Sequence, residues 1–287
     1  PATKKLPLIP GHEISGEVVE VGKGIDKNYI GKHAVVYFYL SCGECSFCLS
    51  GRETLCGNLN GQIGFNLDGG YAEYVKAPVN CLFFIRPEIP FEQAAIIADA
   101  IATPYHALTS KVKIQHGETL AVIGAGGLGI HAIQIAKVFG ANVIAIDINE
   151  KALAMAQEMG AEKTLLVTKD DPTEEIVDLS GGNGVDAVID FVGKPKTQIV
   201  GLNILKVAGR FVAIAYNAEN PFPVNSQLLV SKELEIYGSR SCGRNDLKDS
   251  IDLVSSSKVK PIVTEVHPLN EACLLYTSDA ADEEDSV

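Results

Sequence analysis

Four cysteines lie within fifteen residues of one another: Cys42, Cys45, Cys48 and Cys56. Four thiolates this close in sequence can surround one Zn²⁺ tetrahedrally and leave no position open for a substrate. The C-x2-C-x2-C spacing also begins ferredoxin motifs, but those continue with x3-C-P, whereas here the fourth cysteine precedes Gly57. The spacing therefore predicts a structural zinc site, with an iron–sulfur cluster or unliganded thiols as the alternatives.

A glycine-rich run follows a predicted strand and opens a predicted helix: Gly124, Ala125, Gly126, Gly127, Leu128 and Gly129. In a G-x-G-x-x-G loop the first glycine permits a tight turn, the second lets the backbone approach a pyrophosphate, and the third lets helix and strand pack closely. The free N–H groups and the positive end of the helix then favour a diphosphate. The run predicts a dinucleotide site, and a glycine-rich turn that binds nothing is the alternative.

Asp147 ends the next apolar strand, close to the spacing expected for the acid that binds the adenosine ribose hydroxyls. A carboxylate at this position repels a 2′-phosphate, and no arginine follows it. The sequence therefore favours NAD over NADP, although a surface-turn aspartate is the alternative. Lys151 could flank the same ribose or be a solvated helix lysine.

A histidine with a carboxylate beside it, His12-Glu13, stands after Gly11 at the entrance to a predicted strand. Imidazole is a common zinc ligand, and an adjacent carboxylate can support the ligand or exchange onto the metal. A purely structural histidine explains the same residues. The pair predicts a metal site only in combination with further ligands.

The elements that would position these residues differ between two parts of the chain. Residues 1–98 are predicted to be β-rich, with strands at Val18–Val21, Ala34–Phe38 and Tyr71–Val75. From residue 117 onward, apolar strands alternate with helices. This alternation predicts an α/β fold with a doubly wound parallel sheet.

Composition excludes several classes of function. The formal net charge of -12 argues against nucleic acid as a partner, because phosphate binding needs a basic surface. No apolar run is long enough for a transmembrane helix, and no signal peptide is evident at the start. The clustering of cysteines favours metal ligation in a reducing compartment, so the cytoplasm is the expected location.

Taken in order, these motifs resemble the zinc-containing medium-chain dehydrogenases of the alcohol dehydrogenase type. The resemblance also rests on the runs Gly69–Tyr74 and Thr103–Leu108. It implies a GroES-like catalytic domain at residues 1–98, a Rossmann domain at 99–248 and a return to the catalytic domain at 249–272. It also implies a small alcohol or aldehyde substrate, NAD, and a homo-oligomer that is a dimer or a tetramer.

The resemblance further implies a catalytic zinc held by His12 and by Asp99, which matches the variable third ligand of the family. Glu13 matches the carboxylate that supports or replaces a ligand, and Thr103 a residue close to the nicotinamide. Asp99 lies in an apolar run, where an unpaired carboxylate would be costly to bury, and a helix-cap role is its alternative.

Two departures from the family pattern lead to further expectations. The family has a cysteine ligand upstream of the histidine, followed by a hydroxyl residue that relays the substrate proton, and residues 1–11 contain no cysteine. We therefore expect a chain truncated at its N-terminus and inactive by itself. The acidic tail 273–287 departs from the family and is expected to be non-native.

The expected function of the parent enzyme is zinc-dependent transfer of a hydride between an alcohol and NAD. A zinc-free reductase of the same fold, such as a quinone reductase, is a first alternative. A non-catalytic protein that binds zinc and NAD is a second.

Overall fold

The computed structural model describes residues 6–216, 218 and 221–272 of the 287-residue chain. They form two compact units, the first within residues 6–98 and 263–272 and the second within residues 99–262. The acidic tail, 273–287, lies outside the described residues. In the described part of the chain no helix is long and apolar enough to cross a membrane.

The first unit is built on a three-stranded antiparallel sheet in the order β1-β2-β3. Its strands and α-helices are β1 (Ser15–Glu17), β2 (His33–Val36), α1 (Ser46–Leu49), β3 (Leu82–Phe84) and α2 (Phe91–Ala95). Short 3-10 helices occupy Lys27–Tyr29, Glu53–Leu55, Val79–Cys81, Ile96–Ala98 and Leu269–Glu271. The central strand β2 and the residues after it supply the core, since residues 34–39 are all buried.

Two strands predicted in this unit are wrong. Residues 18–21 are not a strand, because β1 ends at Glu17. Val18 makes one pair of backbone hydrogen bonds with the segment before β2: its N–H donates to the Lys32 carbonyl, and its carbonyl accepts from the Gly31 N–H. Residues 71–75 are not a strand either. The N–H groups at 69–71 donate instead to the carbonyls of Ile9, Pro10 and Gly11. These glycine-rich residues therefore hold the segment that leads to His12.

The second unit contains a six-stranded, fully parallel sheet in the order β6-β5-β4-β7-β8-β9. Its strands are β4 (Thr119–Ile123), β5 (Asn142–Asp147), β6 (Lys163–Leu166), β7 (Val185–Asp190), β8 (Leu205–Ala213) and β9 (Glu235–Gly238). The order reverses direction between β4 and β7, as in the Rossmann fold. The predicted doubly wound parallel sheet is therefore confirmed.

Helices alternate with these strands. They are α3 (Ala102–His106), α4 (Gly127–Val138), α5 (Glu150–Glu158), α6 (Thr173–Leu179), α7 (Pro195–Asn203), α8 (Ser226–Ser231) and α9 (Arg244–Ser255), with a π-helix at Ala107–Val112. Local sequence fixes several starts. The Asn149 side chain, for example, caps α5 by accepting from the backbone N–H groups of Lys151 and Ala152. The central strands and α4 are almost wholly buried, so these elements form the apolar core of the second unit.

The second unit continues past the boundary predicted after residue 248, which falls inside α9. This helix is joined to α3 by two side-chain hydrogen bonds. His106 Nδ1 lies 2.8 Å from Asp246 Oδ2, and the Tyr105 hydroxyl donates to Asp249 over 3.1 Å. Further on, Gln134 of α4 exchanges two hydrogen bonds with the backbone of Lys260. These contacts place residues up to Ile262 in the second unit.

Candidate metal and dinucleotide sites

The four clustered cysteines converge in the first unit. Their sulfur atoms all lie within 4.8 Å of one another. The Sγ–Sγ distances are 3.8 Å between Cys42 and Cys48, and 3.5 Å for both Cys45–Cys48 and Cys42–Cys56. Four sulfurs at about 2.3 Å from a tetrahedral zinc stand about 3.8 Å apart. The cluster is therefore suited to a structural zinc ion with all four positions filled by protein.

The local backbone prepares this cluster for a metal. Gly43 and Gly51 adopt positive φ angles of 78° and 71°, which turn the chain around the sulfurs. The backbone N–H groups of Glu44 and Cys45 donate to the Cys42 sulfur and lower the pKa of its thiol to about 7. Burial raises the pKa of Cys48 to about 12, so this thiol needs a cation to lose its proton. A zinc ion would supply that charge.

The glycine-rich loop connects β4 to α4 in the second unit. Gly124 has φ +89°, and a Cβ atom on Gly129 would overlap the carbonyl oxygen of Gly124. In contrast, no atom lies within 4 Å of where a Cβ would stand on Gly126 or Gly127, and both residues are exposed. Leu128 is half-buried in the first turn of α4. The loop is thus closed on its inner side and open where a diphosphate would approach.

Asp147 lies at the carboxyl end of β5 and contacts the same loop. Its Oδ2 accepts from the N–H of Ala125 over 2.6 Å, and its Oδ1 accepts from the N–H of Asn149 over 2.9 Å. The carboxylate is half-buried, whereas Lys151 is exposed. The structure therefore brings Asp147 together with the glycine loop, and the predicted ribose contacts of Asp147 and Lys151 stay predictions.

His12 and Glu13 are half-buried in the first unit. The His12 ring packs on two aromatic rings, with centroids 4.9 Å from Phe38 and 4.7 Å from Phe65. Gly11 precedes it with φ +96°, and a Cβ there would come within 2.6 Å of Tyr71. The aromatic cage and the glycine fix where the imidazole stands, and its role as a metal ligand stays a prediction.

Asp99 and Thr103 lie together in the second unit, one helical turn apart. The Thr103 hydroxyl donates to Asp99 Oδ1, and the Thr103 N–H donates to the Asp99 carbonyl over 2.8 Å. Thr103 is buried, and Asp99 is half-buried. The N-cap position of α3 is Ile101, so the Asp99 carboxylate does not cap this helix. Its predicted role as a zinc ligand remains a prediction.

The sequence matches two family models. Residues 2–87 match the model of the alcohol dehydrogenase GroES-like domain, and residues 127–256 match the model of the zinc-binding dehydrogenases. An alcohol dehydrogenase from Geobacillus stearothermophilus is 39% identical over 278 residues, which cover 94% of this chain and 79% of that protein. The chain belongs to the zinc-binding alcohol dehydrogenase family. The resemblance drawn from the motifs is thereby confirmed.

Further members of this family agree. An NAD-dependent alcohol dehydrogenase from Sulfurisphaera tokodaii is 36% identical over 93% of this chain and 77% of its own length. The crystal structure of an alcohol dehydrogenase from Aeropyrum pernix superposes with a TM-score of 0.89 at 28% identity, covering 98% of this chain and 81% of that one. The predicted combination of a GroES-like domain with a Rossmann sheet is confirmed.

Sequence reasoning missed two buried polar residues of this dehydrogenase. Asp190, at the carboxyl end of β7, is fully buried, and burial raises the pKa of its carboxyl group. His131, in α4, is also buried, and burial lowers the pKa of its imidazole to about 4. Each is a polar residue in an otherwise apolar element, which is a signal that the sequence does carry.

Proposed function

We propose that the sites of this chain belong to an enzyme that catalyses the reversible NAD-linked oxidation of a small alcohol to an aldehyde or ketone. The observation that carries the proposal is the loop between β4 and α4. The loop has no room for a side chain at Gly129, whereas the space beside Gly126 is open. The Asp147 carboxylate holds the loop by accepting from the Ala125 N–H. Relatives named as NAD-dependent alcohol dehydrogenases support the same conclusion.

The adenosine ribose would bind at the Asp147 carboxylate, beside Lys151, and the diphosphate at the N-terminus of α4. The Asp147 carboxylate at the end of β5 disfavours a 2′-phosphate, so NAD is the proposed cofactor. Bound NAD supplies the hydride acceptor. The chain's own contribution is to bind the dinucleotide and to orient it through fixed backbone N–H groups.

For the catalytic metal we propose His12, Asp99 and Glu13 as ligands, with Thr103 close to the nicotinamide. One imidazole and two carboxylates are ligands that zinc accepts. Thr103 would hold Asp99 in one orientation through the hydrogen bond between their side chains. A zinc ion bound by these residues supplies Lewis-acid chemistry that lowers the pKa of an alcohol hydroxyl.

We also propose that the 287-residue polypeptide, assayed by itself, does not turn over alcohols. The proposed ligand set contains no thiolate, and a set of imidazole and carboxylates holds zinc less selectively against other divalent ions. Binding of NADH would be retained, because every residue of the dinucleotide site belongs to the second unit. A homo-oligomer and a cytoplasmic location are parts of the same proposal.

The test separates binding from turnover. NADH is titrated into the chain by fluorescence, and alcohol oxidation is followed at the NADH absorbance for a panel of primary, secondary and polyol substrates. A chimera that carries the N-terminal segment of the Geobacillus alcohol dehydrogenase before residue 1 is assayed beside it. We expect NADH binding by both and turnover by the chimera alone. A chain that binds no nicotinamide dinucleotide would refute the proposed function.

A further inference from the structure

Asp190 is a carboxylic acid with no exposed surface. Its Oδ1 accepts from the N–H of Val192 over 2.9 Å and from the N–H of Gly193 over 3.2 Å. Its Oδ2 accepts from the Thr197 hydroxyl over 3.0 Å. The side chain thus binds the turn that follows its own strand on one side and the start of α7 on the other. Buried polar groups so fully satisfied hold the surrounding backbone in one arrangement.

This turn, residues 191–193, stands at the point where the strand order reverses. Asp190 is in register with Ile123, the last residue of β4, and the N–H of Phe191 donates to the Ile123 carbonyl over 2.9 Å. The turn therefore lies beside the glycine loop. In open α/β sheets this crevice at the carboxyl ends of the strands is where ligands bind.

The turn is packed tightly on both flanks. A Cβ added to Gly124 of the glycine loop would come within 3.0 Å of the Val192 side chain. Gly193 has φ +71°, and a Cβ there would lie 2.6 Å from the carbonyl carbon of Ala215, beyond the end of β8. A small shift of the turn would therefore change the walls of the crevice on the β7 side of the glycine loop.

We propose that Asp190 is a positioning residue for the nicotinamide half of the dinucleotide, which it serves by fixing the turn 191–193. The inference rests on the proposed binding of NAD. Adenosine is assigned to the β5 side by Asp147 and the diphosphate to the loop after β4. The other nucleotide then extends over the carboxyl end of β7. Asp190 itself touches no ligand.

The role requires shape and acceptors, not charge. In Asp190→Asn the amide oxygen can accept from the same two N–H groups. Its NH2 group can donate to the Thr197 hydroxyl, which then donates to the Lys194 carbonyl at 2.9 Å. Burial raises the pKa of Asp190, in agreement with a site that tolerates a neutral side chain. Asp190→Ala, in contrast, leaves two buried N–H groups without an acceptor.

The experiment measures NADH and AMP affinity by titration for the full chain and its variants. AMP reports the adenosine half alone. For Asp190→Ala we expect NADH affinity to fall about tenfold or more, because the turn loses its preorganisation, with AMP affinity unchanged. For Asp190→Asn we expect NADH affinity close to that of the unaltered chain.

Asp186→Ala is the matched control. Asp186 lies on the same strand at the opposite end, where its Oδ2 accepts from the Thr119 N–H over 2.7 Å and pairs with Lys206. The Asp186→Ala substitution removes a comparable hydrogen bond. It should lower the melting temperature without changing the ratio of NADH affinity to AMP affinity. If Asp190→Ala is insoluble, Thr197→Val takes its place, with NADH expected to bind about threefold more weakly.

The inference is overturned if Asp190→Ala, or Thr197→Val in its place, binds NADH as tightly as the unaltered chain. It is also overturned if the AMP affinity of that variant falls in parallel with its NADH affinity. The second outcome would mean a general loss of structure. If instead the proposed function is wrong, the unaltered chain itself should bind no NADH, so the two failures can be distinguished.

Discussion

The carboxylate of Asp147 and the backbone N–H of Ala125 are joined by a hydrogen bond of 2.6 Å. The contact links the carboxyl end of β5 to the second residue of the glycine loop. The residue proposed to bind the adenosine ribose therefore also holds the loop proposed to bind the diphosphate. Changes at Asp147 should affect both parts of the dinucleotide site.

We predict that Asp147→Ser combined with Ile148→Arg shifts the preference from NADH toward NADPH. The serine removes the charge that repels a 2′-phosphate, and position 148, whose isoleucine is 70% exposed, can present an arginine to it. NADH affinity should also fall, because Ala125 loses its acceptor. Titrations with both dinucleotides provide the measurement. Ile148→Arg alone is the control, and an equal shift from it would show that Asp147 does not set the preference.

Gly126 and Gly129 of the loop should respond differently to replacement by alanine. Gly129→Ala places a Cβ against the Gly124 carbonyl and should destabilise the fold by about 2 kcal/mol or more. Gly126→Ala meets no atom within 4 Å and should cost about 1 kcal/mol or less, yet weaken NADH binding by obstructing the diphosphate. Urea unfolding and NADH titration distinguish the two effects.

Gly22→Ala is the control for this pair, since Gly22 also has open space around it and lies in the first unit. It should change neither stability nor NADH affinity appreciably. Unchanged NADH affinity in Gly126→Ala would contradict the assignment of the diphosphate to this loop.

We predict that Cys45→Ser releases the zinc ion of the cysteine cluster and destabilises the first unit. All four sulfurs come from residues 42–56, and a serine hydroxyl is a poor substitute for a thiolate on zinc. Metal analysis after gel filtration measures the loss. Cys81→Ala, a buried cysteine outside the cluster, should retain the zinc. Iron with visible absorbance in the unaltered protein would instead indicate an iron–sulfur site.

Much of the fold follows from local sequence signals. The strands of the second unit carry near-continuous apolar runs, and the glycine loop marks the junction of β4 with α4, so periodicity predicts them well. Residues 71–75 alternate in the same way as a strand, but the N–H of Tyr71, like those of Gly69 and Gly70 before it, donates to a distant segment of chain. Propensity cannot reveal such a long-range partner.

The sites show the same division. The cysteine cluster was predictable because its four ligands are close in sequence. Asp190 and His131 were missed for different reasons. The partners of Asp190 are local but depend on how the chain turns after β7, whereas His131 also accepts from a residue in a distant segment. Ile262, which donates to His131, is far along the chain. A polar residue inside an apolar element signals a buried partner without identifying it.

Our last prediction concerns the pH dependence of stability. His131 Nδ1 lies 2.7 Å from the Gly127 carbonyl, to which it donates, and its Nε2 accepts from the Ile262 N–H over 3.1 Å. The second bond requires an unprotonated Nε2, so the folded state holds the neutral ring. Burial, the largest cause, lowers the pKa of this imidazole from 6.5 to about 4 in the folded protein.

Between these two pKa values the unfolded chain binds a proton that the folded chain does not, so His131 makes stability fall as the pH falls below 6.5. The stabilisation is fully present above pH 6.5, and at pH 5 about 2 kcal/mol of it should be lost. His131→Gln should be less stable at pH 7.5, because it loses the ring's packing, but should lose less stability on going to pH 5. Urea unfolding at both pH values measures this difference, with His267→Gln, at the protein surface, as the control. Equal pH dependence in the unaltered protein and in His131→Gln would show that His131 is protonated without cost in the folded state, and that its bond to Ile262 does not hold the ring neutral.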